Sequence, residues 1–281
     1  MKTILVPTDF SDYSENALNM ALLLAHSTKA KIILCHVLQL PLAIGEIPYA
    51  LLEKEKNDLK QQAEIKLKAL SLKIDHAGGI TYETRILDGE VVNEILDLIK
   101  AEKATLVIMG TKGLRNLAEV ILGSTTEQLI LNSQCPVMAV PIDIHFNKSL
   151  KRLTYATDYH KSDIQDLMQL IDIASSLKAQ VNVLHISGDE ISAEQEVKMM
   201  SDFMKEVSNK STYNNLSFQI LHGNNVIQKL QEYLREESTD VLITSTHQRG
   251  LIERLFSKSN TLSLLKNSEV PIIAFHYSAK N

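Results

Sequence analysis

Apolar residues in this chain fall into short unbroken runs, separated by longer stretches in which they recur every three or four positions. Met1 to Val6, Ala30 to Leu38, Thr81 to Leu87, Thr105 to Met109 and Pro136 to Val140 have the length and aliphatic character of strands buried on both faces. The stretch from Ser14 through Leu18, Ala21, Leu22 and Ala25 has helical spacing, with Ser11 or Asp12 placed to cap it. Further helices are predicted over Leu51 to Leu72, Val91 to Ala101 and Thr125 to Asn132. Strand and helix alternate throughout, which predicts a doubly wound α/β fold. In such a fold ligands settle beyond the carboxyl ends of the strands, near the point where strand order reverses. Thr8, Asp9 and Gly110 all stand at predicted strand ends.

The pattern then repeats. Ile4-Leu-Val-Pro-Thr8-Asp9 returns as Leu153-Thr-Tyr-Ala-Thr157-Asp158, and Ala30-Lys-Ile-Ile-Leu-Cys-His36 returns at the same offset as Ala179-Gln-Val-Asn-Val-Leu-His185. Ile86-Leu-Asp-Gly89 reappears as Ile220-Leu-His-Gly223, and Gln134-Cys-Pro136 as Glu269-Val-Pro271, at a shorter offset. The second copy is therefore shorter between its second and third strands. Four ordered landmarks predict a tandem duplication, with one domain over 1–143 and another over 151–281.

One motif in the first copy carries chemistry. Gly110-Thr-Lys-Gly113 follows a predicted strand, and Gly123-Ser124-Thr125 follows after nine further residues at the start of a predicted helix. Glycines after a strand let a backbone approach a ligand, and a helix start offers amides, hydroxyls and a positive dipole end to an anion such as a nucleotide phosphate. The spacing is neither a Walker A loop, which needs a lysine directly after its last glycine, nor Gly-x-Gly-x-x-Gly. Charge balance would come from Lys112, Arg115 or a divalent metal.

The combination of Gly-x2-Gly-x9-Gly-Ser/Thr with an opening strand ending in Pro-Thr-Asp and a closing Cys-Pro-Val-Met-Ala-Val-Pro resembles the universal stress protein family of the UspA type. The resemblance covers the whole chain as two copies. It implies two five-stranded, mainly parallel, Rossmann-like sheets of the adenine-nucleotide alpha-hydrolase kind. It also implies a stress-response protein that binds ATP or ADP, with Mg²⁺, in a regulatory rather than catalytic role. Carried over by position, Pro7, Thr8, Asp9 and Val37 would meet the adenosine end and Met109 and Gly110 the ribose and phosphate side. Gly113, Gly123, Ser124 and Thr125 would wrap the phosphates. In the family the last strand pairs across a dimer interface, so Pro136–Val140 and Pro271–Phe275 are expected to pair within this chain as an intramolecular pseudo-dimer, with a further homodimer left open. An unknown protein partner is implied. Two other readings stay open: a slow ATPase or phosphoryl-transfer enzyme at the same cradle, and a two-ligand sensor whose second copy binds a different molecule.

The second copy departs where the cradle should be. Gly110, Gly113 and Gly123 correspond to Ser245, Gln248 and Lys258, while Ser124 persists as Ser259. Pro7 becomes Ala156, although Thr157 and Asp158 remain. Nucleotide binding is thus expected only in the first copy. Asp9 and Asp158 have a rival reading as helix caps. His36 and His185 read as packed ring donors rather than bases, because no nucleophile accompanies them. Cys135 reads as a reduced, buried thiol. The run Glu53-Lys-Glu-Lys-Asn-Asp-Leu-Lys reads as a solvated helix face, with Leu59, Ile65, Leu67 and Leu70 turned toward the protein.

Composition bounds the rest. A net charge of −5 with no basic stripe argues against nucleic acid as a partner. Two distant cysteines give no disulfide framework. The short apolar opening reads as a core strand rather than a signal peptide, and no run is long enough to span a membrane, so a cytoplasmic location is expected.

Overall fold

The computed structural model describes residues 1–39, 49–111, 124–142, 144, 149–188, 192–246 and 270–276. Strands and helices alternate as β1 (Thr3–Pro7), α1 (Asp12–Thr28), β2 (Lys31–Leu38), α2 (Tyr49–Ala77), β3 (Tyr82–Asp88), α3 (Val91–Ala101), β4 (Leu106–Thr111), α4 (Ser124–Asn132) and β5 (Val137–Pro141). The second half runs β6 (Arg152–Ala156), α5 (Lys161–Leu177), β7 (Gln180–Ser187), α6 (Ala193–Lys210), β8 (Leu216–His222), α7 (Val226–Glu236), β9 (Val241–Ser245) and β10 (Ile272–Phe275). The α/β alternation predicted from apolar spacing is present in both halves.

Packing divides the chain into a compact unit over Met1–Gly110 and another over Thr111–Asn281. The first unit orders its strands β3-β2-β1-β4, all parallel, with Pro7 level with Cys35 across β1 and β2. The second orders them β5-β10-β9-β6-β7-β8. There β5 joins β10 antiparallel, with Ile273 opposite Met138, and this pairing is what ties β5 to the second unit rather than to the half of the sequence it comes from. In each unit the chain winds outward from a first strand and then returns to that strand's other side, at β1 between β2 and β4 and at β6 between β7 and β9. These are the two reversal points at which an open sheet leaves a crevice.

The strands are buried because both of their faces are covered. Ile4, Leu5, Val6, Ile32, Ile33 and Leu34 are fully buried, as are Leu106, Val107 and Ile108. On the covering helix α2 the buried positions are Ala63, Leu67, Ser71 and Ile74, spaced as one helical face. Ile65, expected to face the protein, is instead 70% exposed. It lies two residues before Leu67, about 200° around the helix, so the buried stripe excludes it.

Local devices repeat between the units. The hydroxyl of Thr105 accepts the amides of Lys2 and Thr3 (3.2 Å each), and the carboxylate of Asp240 accepts those of Lys151 and Arg152 (2.6 and 2.8 Å). Helices α1 and α5 both end on a lysine in the left-handed region, Lys29 at φ 57° and Lys178 at φ 53°. A residue with a Cβ is strained there and glycine is not. Lys29→Gly and Lys178→Gly are therefore expected to raise unfolding stability by about 0.5–1 kcal/mol each, read as a higher urea midpoint at unchanged slope.

Candidate functional site at the strand ends

At the end of β1 a single threonine organises the turn into α1. The Thr8 amide donates to the carbonyl of Cys35 (2.8 Å), which extends the ladder one residue past the strand. Its hydroxyl accepts the amide of Phe10 (3.0 Å) and lies 2.9 Å from the Ser14 hydroxyl. Its carbonyl lies 2.7 Å from His36 Nδ1. Because a carbonyl can only accept, His36 carries its proton on Nδ1. The turn forces Phe10 to φ 63°, and the Phe10 ring packs on His36 with centroids 4.4 Å apart. Lys66 of α2 holds its amine 5.2 Å from the centre of the same Phe10 ring, within reach of its negative face. Asp9 is exposed and accepts from the Ser11 amide (3.0 Å) and hydroxyl (2.5 Å), while Ser11 caps α1. Partial burial opposes ionisation of Asp9, but the hydrogen bonds from Ser11 and Ser14 outweigh it and hold the carboxyl below its ordinary value of 3.8.

The same turn is built at the end of β6 with different chemistry around it. Thr157 accepts the amide of Tyr159 (2.8 Å), its carbonyl takes His185 Nδ1 at 2.8 Å, and Tyr159 sits at φ 61° against the His185 ring. Where Ser14 stands in the first unit, the second has Asp163, which is buried and accepts from the Thr157 hydroxyl at 2.6 Å. Where Lys66 approaches Phe10, the ring of Phe203 lies 5.3 Å from Tyr159 and meets Phe218 edge-on at 6.5 Å. A second buried carboxylate, Glu196, accepts from the Ser187 hydroxyl at the end of β7 and lies 3.8 Å from His222 Nδ1. Burial, and then the carboxylate of Glu196, push the Tyr159 phenol well above its ordinary value. The first turn thus has a cation above it and, among the described residues, no buried acid beside it. The second has two buried acids and an aromatic plug.

Gly110, at the end of β4, is bare for a reason of packing. A Cβ there would fall onto the carbonyl of Tyr13 and within 2.9 Å of the Ser14 amide, so the glycine lets β4 lie directly against the first turn of α1. Its counterpart Ser245 is fully buried with its side chain in place. The glycine expected to expose backbone to a ligand is thus required by helix packing whether or not a ligand binds.

The sequence matches the model of the universal stress protein family over residues 1–141. This chain belongs to the universal stress protein family. The universal stress protein MJ0531 of Methanocaldococcus jannaschii is 32% identical over 139 residues, which are 50% of this chain and 81% of that protein. A universal stress protein of Thermus aquaticus is 30% identical over 140 residues, 50% of this chain and 98% of that one. In fold the chain is similar to a universal stress protein from Archaeoglobus fulgidus, with a TM-score of 0.75 at 20% identity over 98% of both chains.

Among the residues that the family resemblance nominates, this universal stress protein brings Pro7, Thr8, Asp9, Val37, Met109 and Gly110 to neighbouring strand ends of one unit. Pro7, Thr8, Val37 and Met109 are buried and Asp9 is exposed. Ser124 and Thr125 open α4, while Gly113 and Gly123 lie outside the described residues, as do Lys112, Arg115, Gln248, Lys258 and Ser259. Both cysteines are buried and neither is in a disulfide, and burial pushes the Cys35 thiol up to about 12, so it is inert. A groove of about 520 Å³ along α2 and β3 is lined by Lys60, Leu67, Tyr82, Thr84 and Ile86 among others and includes none of the strand-end residues. Among the described residues no group of three His, Cys, Asp or Glu side chains converges as a metal site, and no helix is long and apolar enough to cross a membrane. Sequence reasoning passed over Lys66, Asp163, Glu196 and Phe203. Only Asp163 was within its reach, since it lies at the repeat offset from Ser14.

Two measurements follow from this geometry. Gly110→Ala is expected to cost about 2–4 kcal/mol of stability in ligand-free protein, because the obstacle is backbone and cannot rotate away. For Asp9 the folded value is depressed, so its stabilisation is present above the ordinary carboxylate value and is lost as pH falls through the folded value. Urea unfolding should show Asp9→Asn weaker than wild type at about pH 7, with the difference closing as pH falls below the ordinary carboxylate value.

Proposed function

We propose that the first unit of this universal stress protein binds an adenine nucleotide, ATP or ADP, beyond the carboxyl ends of β1, β2 and β4, and that it binds rather than turns the nucleotide over. The observation that carries this reading is the contrast between two otherwise matching turns. Around Thr8 the neighbours are Ser14 and the cation of Lys66, and around Thr157 they are Asp163 and Phe203, with Glu196 buried nearby. An anionic ligand is favoured by the first field and repelled by the second.

The residues at the first turn fit the group. Val37 gives an apolar wall for the adenosine end, Met109 lies toward the ribose and phosphate side, and Asp9 offers a carboxylate that can accept from ribose or adenine donors. The motif assigns Gly113, Gly123, Ser124 and Thr125 to the phosphates on sequence alone. Mg²⁺ would enter with the phosphates, since it is ordinarily held by them together with one or two carboxylates. In this reading the copies over 1–143 and 151–281 are a working domain and a structural twin. The protein is then a cytoplasmic stress-response component whose occupancy is read by a protein partner.

Isothermal calorimetry on the full chain tests the reading. It should give one ATP or ADP per chain, an affinity lowered about tenfold or more by Asp9→Ala, loss of binding in Gly123→Leu, and no change in Asp158→Ala. Unchanged affinity in both Asp9→Ala and Gly123→Leu would refute it. Labelled ATP converted to ADP at a rate abolished by Gly123→Leu would show an enzyme instead.

A further inference from the structure

Strand β8 ends the sheet order of the second unit, as β3 ends that of the first. Its pairing with β7 fixes which way its backbone points. Val181 donates to the carbonyl of Asn215 (2.9 Å) and Gly223 donates to that of Ser187 (3.0 Å), so Ser217, Gln219 and Leu221 turn their amides and carbonyls toward β7. Leu216, Phe218, Ile220 and His222 therefore turn theirs outward, where no strand among the described residues meets them. Strand β3 has the same phase, because Ile32 donates to the carbonyl of Thr81 (2.9 Å) in the matching position.

The two edges differ in how they treat a visitor. β3 carries Glu83, Arg85 and Asp88, with Arg85 paired to Glu83 and to Glu102 (3.6 Å). At the corresponding positions β8 has Ser217, Gln219 and His222. Charges on an edge strand are the usual guard against pairing with another chain, and β8 has lost them, keeping Ile220 and Leu221 and carrying Leu216 and Phe218 where β3 has Tyr82 and Thr84. Helix α6, which lays Phe203 on Phe218, also keeps Val197 and Met204 exposed one heptad apart, apolar area available to a neighbour.

We infer that β8 pairs antiparallel with β8 of a second copy of this chain, about a two-fold axis through Gln219. That register sets Phe218 opposite Ile220 and Leu216 opposite His222, so every outward amide and carbonyl of the four residues finds a partner. It sets Gln219 against its own copy in a non-hydrogen-bonded pair with Cα atoms about 4.5 Å apart, where two neutral amides can bond each other. β3 in the same register would face Arg85 with Arg85 and is repelled. A two-fold axis uses each edge once, so assembly stops at the dimer.

Sedimentation velocity on the full chain should show a dimer whose dissociation midpoint rises at least about tenfold in Gln219→Arg, with unchanged far-UV circular dichroism. Gln219→Cys should form a covalent dimer on mild oxidation and Arg85→Cys should not, the native thiols being buried. A chain that stays monomeric at about 100 µM, or a dimer indifferent to Gln219→Arg, overturns the inference.

Discussion

Every polar atom of one threonine is spoken for at the end of β1, and the candidate site exists because of it. The amide of Thr8 extends the ladder to Cys35, its carbonyl holds the His36 ring, and its hydroxyl gathers the Phe10 amide and the Ser14 hydroxyl. A residue so constrained fixes the direction in which α1 leaves the strand and drives Phe10 into the left-handed region. Left unmet in a buried turn, these groups would each cost on the order of 1–3 kcal/mol. Thr157 repeats the arrangement around His185 and Tyr159, so the turn belongs to the fold and any difference in function must come from what surrounds it.

What surrounds it is charge. The first unit presents an ammonium over an aromatic ring, whereas the second buries Asp163 and Glu196 and fills the corresponding space with Phe203. The duplicated chain has kept one scaffold and given its two strand-end turns different charged and aromatic neighbours.

Much of this was legible in the sequence. Strand and helix order followed from apolar spacing, the repeat followed from matched landmarks, and residue type narrowed the cap of α1 to Ser11 or Asp12, of which Ser11 makes it. Other features depend on three-dimensional neighbours that no spacing reveals. Gly110 looked like a ligand-facing glycine, yet the carbonyl of Tyr13 on another element is what excludes a side chain there. Ile65 looked like a core residue because it is apolar, yet its angular position on α2 turns it outward. Lys66 stands between Ile65 and Leu67 on α2 with no motif around it, and only its reach across to Phe10 sets it apart.

Two turns alike in backbone but unlike in their neighbours should differ in the ligand they admit. Amide chemical-shift mapping of the isotopically labelled full chain during an ATP titration tests it most directly. Saturable shifts are expected at Thr8, Asp9, Ser11 and Val37, with Thr157, Asp158, His160 and Ile186 unmoved. Shifts confined to the second set, or equal in both, would contradict it.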